Sequence, residues 1–178
     1  MQHQTERIGI RTRYDLFSRL LHWVIAAAMF YIMIVGYSLH FMPDERIFTF
    51  FSETNMSLAL VMTPLMAIRF LWRFFRPSVP YGEMLKGHGK GLVHLLHEVF
   101  YLLIFVVLIS GFLMLEKGFQ IFGVIDFPRP VANLEVNRFF FVVHRCSCVA
   151  LAGMIMLHLT AVIKHHYLEK NAILRRML

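Results

Sequence analysis

Four long apolar runs divide this chain, each near or above the roughly 20 residues a helix needs to cross a bilayer. They cover about residues 16–39, 49–72, 91–115 and 138–163, with short connections between them. Hydrocarbon offers no water to unpaired peptide groups, so such runs must close their hydrogen bonds internally. The expectation is an all-α integral membrane four-helix bundle, a single domain over residues 1–178. Hydrophobic residues make up 58% of the chain, too many for an ordinary soluble domain. The first run is too long for a secretion signal, and Leu39-His40-Phe41 makes a poor cleavage site, so it is expected to be retained. Pro64 lies in the second run and predicts a kink rather than a break, since neighbouring groups can take up the freed carbonyl.

A net charge of +7 could point to nucleic acid, but the bases sit at the ends of the apolar runs, which is the membrane pattern. Arg7, Arg11, Arg13 and Arg19 lie in the head of the chain, before and at the start of the first run. Arg69, Arg73, Arg76, Lys86 and Lys90 gather between the second and third. Lys164, Lys170, Arg175 and Arg176 follow the fourth. By contrast, the first connection holds Arg46 alone, and Lys117, Arg129 and Arg138 in the third are balanced by acids. The positive-inside rule therefore puts both termini in the cytoplasm, with membrane lipid as the partner and no nucleic acid. Residues 75–82 read as a rigid cytoplasmic turn of Pro and Gly chemistry. Cys146 and Cys148, two apart on a helix, point to nearly opposite sides and read as packing residues. Trp23 and Trp72 fit an aromatic belt, and the Phe-rich stretches at 48–51 and 139–141 fit interfacial anchors.

The histidines break the apolar pattern. His22 and His158 lie inside the first and last runs, where an imidazole is costly unless it is used, and an iron bond is one use. With both termini inside, the two rings come to one depth near the cytoplasmic side, able to clamp a haem iron from opposite faces. His144 precedes His158 by 14 residues, which is ~21 Å of rise and close to four turns, so both rings face one way. That spacing suits two haems stacked across a membrane. The alternative for any one buried histidine is a hydrogen bond to a neighbouring helix. No CxxCH sequence occurs, so a haem here would be held without thioether bonds.

Taken together, these residues resemble the bacterial cytochrome b561 family of four-helix dihaem membrane proteins. The matching stretches are Ser18-Arg19-Leu20-Leu21-His22-Trp23, Arg69-Phe70-Leu71-Trp72-Arg73, and Gly91-Leu92-Val93-His94-Leu95-Leu96-His97 leading to Tyr101-Leu102-Leu103. The last run and tail add His144, His158, Lys164-His165-His166-Tyr167 and Leu174-Arg175-Arg176-Met177. The family includes a superoxide oxidase that passes electrons to ubiquinone. The resemblance implies a bacterial inner-membrane location, His22 and His158 on the cytoplasmic-side haem, and His144 on an outer haem. The family's second outer ligand stands 14 residues before the arginine here numbered Arg69, and that position is Asn55, not histidine. Three outcomes stay open: no outer haem, an outer haem with one histidine or a substitute such as Met56 or His40, or a shifted alignment.

His94 and His97 share one helix face and suit a quinone headgroup or a haem propionate, or simply the interface. Arg19, Arg69 and Arg73 are placed to neutralise propionates or lipid phosphates. The family suggests that His165 or His166 lines a quinone pocket. The expected function is one-electron transfer through one or two haems, between superoxide or another outer donor and ubiquinone. The alternative is a haem-bearing membrane anchor that serves a separate redox protein. A transporter is disfavoured, because no run carries paired acids or a broken midplane segment.

Overall fold

The structure, a computed structural model, describes residues 13–76, 89–168 and 174–178. Arg7, Arg11, Lys86, Lys170 and the Pro–Gly turn over residues 77–82 lie outside the described residues. Four helices are long and apolar enough to cross a membrane: α1 (Leu16–Ser38), α2 (Glu45–Phe75), α3 (Gly89–Leu113) and α4 (Leu134–Ile163). A single 3₁₀ turn (Leu39–Phe41) extends α1, and one π turn (Lys164–Leu168) extends α4.

Side-chain caps set where the helices begin. Asp15 accepts from the Ser18 amide at 2.9 Å and the Ser18 hydroxyl at 2.7 Å, which satisfies an otherwise orphaned donor of α1. Asp44 does the same for Arg46 and Ile47, and Asn133 for Glu135 and Val136. Both α2 and α4 therefore start about one turn before the apolar runs that announce them. The caps are polar, so an apolar count misses them. α2 runs unbroken through Pro64. Burial raises the Asp15 carboxyl's pKa, but hydrogen bonds from Ser18 and the Trp72 indole outweigh it and hold the group below the ordinary carboxylate value.

One element departs from an all-α fold. The connection before α4 contains a small antiparallel hairpin, β1 (Phe119–Ile121) and β2 (Ile125–Phe127), with Phe119 opposite Phe127 and Ile121 opposite Ile125. Its turn puts two consecutive residues in the left-handed region, Phe122 at φ 48° and Gly123 at φ 70°. Glycine takes that conformation freely, whereas a phenylalanine is strained there. Docking holds the turn in place: the Phe122 amide donates to Ser57 Oγ at 2.8 Å, and Ser57 is fully buried on α2.

The main helix contacts pair α1 with α2 and α3 with α4, with a lesser contact between α2 and α3. α1 and α4 make little direct contact. A central apolar cluster ties the pairs together, built around Ile25, Met29, Met62, Met66, Val107 and Leu151. At the end of the bundle that holds the described chain ends, the two tryptophans expected in an aromatic belt also make specific bonds. Trp23 Nε1 donates to the Met177 carbonyl at 2.9 Å, and Trp72 Nε1 to Asp15 at 3.2 Å. The 174–178 segment thereby lies against the start of α1, where the Tyr14 amide also donates to the Arg176 carbonyl at 3.1 Å.

Candidate functional site

Residues seven apart on a helix return to nearly the same face. Each of the four helices carries one such stripe: His22, Met29 and Gly36 on α1; Arg69, Met62 and Asn55 on α2; His97, Ile104 and Gly111 on α3; His158, Leu151 and His144 on α4. Because the helices alternate in direction, the stripes align into three layers. Contacts fix the register: His22 meets Arg69, and Gly111 meets His144. The middle layer, Met29, Met62, Ile104 and Leu151, is buried in the one apolar cluster. The layers above and below it are the polar ones.

The inner layer collects every kind of group that the sequence assigns to the cytoplasmic side. Arg69 Nη2 lies 2.9 Å from His22 Nδ1. His158 and His97 lie within electrostatic range of His22, and Tyr101 lies beside Arg69. His158 packs edge-on against Phe100 of α3, with ring centroids 5.7 Å apart. Its nitrogens make no hydrogen bond among the described residues. His97 Nδ1 donates to the Val93 carbonyl at 2.8 Å, which leaves its Nε2 bare. Among the described residues no three His, Cys, Asp or Glu side chains converge as a cage for a bare ion. Haem makes no such demand, since its porphyrin supplies four donors and the protein only the axial ones.

A haem fits what the inner layer offers. Its two candidate imidazoles come from α1 and α4, the helices that do not close on each other. Arg69 can only donate, so His22 Nδ1 accepts and the ring proton sits on Nε2. Iron needs a bare nitrogen, so ligation through Nε2 requires Arg69 to release Nδ1. The guanidinium then needs another acceptor, and a propionate is one. Arg73, also expected near a propionate, is engaged elsewhere: it pairs with Glu98 and its guanidinium stacks 4.9 Å from the Phe74 ring. His94 is exposed on α3 near this layer, and His165 sits on the π turn.

The outer layer is built differently. His144 Nδ1 lies 3.0 Å from the Val107 carbonyl and 3.2 Å from Ser110 Oγ, both on α3. Its Nε2 is 3.5 Å from Cys148 Sγ. A Cβ on Gly111 would stand 3.1 Å from His144 Cε1, so a larger residue there would press on the ring at this crossing. Asn55 faces the other pair of helices, its Nδ2 3.8 Å from where a Gly36 Cβ would be, with Oδ1 buried and unpartnered. His40 is exposed on the 3₁₀ turn after α1, and Met56 is half-buried on α2. Asn137, one stripe position before His144, is buried and ties α4 to the end of α3 through the Leu113 and Leu115 carbonyls at 2.8 and 3.0 Å. Sequence reading passed over Asn137, although its seven-residue offset from His144 was a usable signal.

Comparison with known proteins agrees with this architecture. The family model for prokaryotic cytochrome b561 matches residues 13–178. The chain is also similar to cytochrome b561 homolog 2 of Escherichia coli (strain K12), at 25% identity over 175 residues, covering 93% of this chain and 91% of that protein.

Proposed function

The chain belongs to the prokaryotic cytochrome b561 family, and from that premise we propose that His22 and His158 hold haem b between α1 and α4 and that electrons are exchanged at the cytoplasmic face. Family membership makes it a multi-pass bacterial membrane protein and a b-type cytochrome of electron transport. The observation that carries the finer reading is the inner layer, where His22, His158, His97 and Arg69 gather from four helices. A polar cluster of that kind inside membrane spans is costly unless it serves a cofactor.

When bound, haem supplies a one-electron couple, its iron alternating between ferric and ferrous states. The chain's own residues do the rest. His22 and His158 would provide the axial nitrogens, and Arg69 and Tyr101 would meet the propionate edge. The apolar layer of Met29, Met62, Ile104 and Leu151 shuts water out from the outer side. His97, with Nε2 bare, stands where a proton could pass to or from a quinone that takes an electron at the inner leaflet. His94 and His165 line the same end. Both termini in the cytoplasm and an inner-membrane location complete the reading, supported by the distribution of basic residues.

Replacing His158 or His22 by Ala is expected to abolish the low-spin haem absorption of the purified protein. Quinone reduction by the reduced cytochrome should then fall in His97→Ala with the haem content unchanged. Full absorption in both His22→Ala and His158→Ala would overturn the ligand assignment.

A further inference from the structure

We infer that the outer layer is a hydrogen-bonded clasp between α3 and α4 and not a second haem site, so that this cytochrome carries one haem and works on one side of the membrane. The inference rests on the inner haem proposed for His22 and His158, and concerns what lies above it.

Two imidazoles at one depth are what a low-spin outer haem needs, and the layer supplies one. Asn55 stands where a partner would be, and an amide is a poor iron ligand. Its side chain is turned toward Gly36 of α1, on the opposite helix pair from His144. The two other donors that could substitute do not compensate: His40 is exposed on a turn beyond α1, and Met56 stands next to Asn55 on α2, so it projects from a different face of that helix.

The ring of His144 is tied to α3. The Val107 carbonyl accepts from its Nδ1, Ser110 stands beside that bond, and the Cys148 thiol reaches Nε2. The ring is wedged against Gly111, in the seam between α3 and α4 rather than between helix pairs. Asn137 repeats the pattern one stripe position farther out, donating to two carbonyls at the end of α3. Ser110 and Ser147 are buried at the same level. On the α3–α4 side the outer layer is thus a run of interhelical polar contacts, and on the α1–α2 side it offers the amide of Asn55 and no second imidazole.

The consequence is directional. His144 and His158 are separated by ~21 Å of helix rise, filled by the apolar middle layer. With no cofactor at the outer level, an electron from an external donor such as superoxide has no relay to the inner haem. Donor and acceptor must then both be reached from the cytoplasmic side or from the inner leaflet.

The test is the haem-to-protein ratio of the intact purified protein by pyridine haemochrome, together with EPR of the oxidised state, in wild type and in His144→Leu. The account expects a ratio near one, a single low-spin species, and both unchanged in His144→Leu. A wild-type ratio near two overturns it, and so does a high-spin or second low-spin signal that disappears in His144→Leu. The wild-type ratio needs no variant to fold. His158→Ala separates the two claims: if it keeps the haem while the ratio is one, the ligand assignment fails and the single-haem count stands.

Discussion

At the inner end of α4, His158 faces His22 and His97 and makes no hydrogen bond among the described residues, while two turns beyond the middle of the same stripe His144 is held by Val107, Ser110 and Cys148. The same residue type, on one helix face, meets two different surroundings. What differs is the neighbour. Around His158 polar groups of α1, α2 and α3 collect. Across from His144 a glycine lets α3 approach until the ring is gripped. What an imidazole inside a membrane can do therefore depends on the groups gathered around it as much as on the ring itself.

The largest expected effect separates the layers outright. His22→Ala and His158→Ala should each remove the low-spin haem, measured as haem per chain, whereas His144→Leu should retain it. Next comes the layer both regions share. Leu151 is fully buried between them, and Leu151→Ala should cost about 2–5 kcal/mol, seen as a lowered thermal midpoint. Gly111→Ala sharpens the outer half: its new Cβ meets His144, for about 1–3 kcal/mol. In a His144→Ala background that penalty should vanish, and simple additivity of the two changes would count against the clasp.

The smallest effect lies at the inner end, where Asp15→Ala removes a helix cap worth about 1 kcal/mol at neutral pH. Because the folded carboxyl lies below its ordinary value, its stabilisation is fully present above the unfolded pKa and is lost as pH falls through the folded one. The gap in midpoint between wild type and Asp15→Ala should accordingly narrow in acid. A gap independent of pH would mean that the carboxylate charge contributes nothing.

Much of this was open to reading from the chain. Length and hydropathy of the runs located all four helices, and the fourteen-residue step from His144 to His158 put both on one face. The stripes on α1, α2 and α3 were equally visible, but their register was not. It depends on how far each connection carries the chain before the next helix begins, and that is set by packing. The hairpin at 119–127 was hidden because its turn depends on Phe122 adopting a left-handed conformation that its residue type disfavours. Docking on Ser57 compensates for that, and Ser57 is distant in sequence. The bonds from the Trp23 and Trp72 indoles to Met177 and Asp15 were not legible either, because they join residues far apart in sequence. Asn55 was legible as an asparagine 14 residues before Arg69, but its placement beside Gly36 of α1 was not, because that depends on how α1 and α2 pack.

Methionine substitution gives the most direct test of the pairing between α1 and α4. A thioether can replace an imidazole on haem iron and raises its potential. His22→Met and His158→Met should each retain haem with a higher midpoint potential and lose the bis-imidazole EPR signature, while His144→Met should leave both unchanged. An unaltered signature and potential in either inner variant would contradict the account.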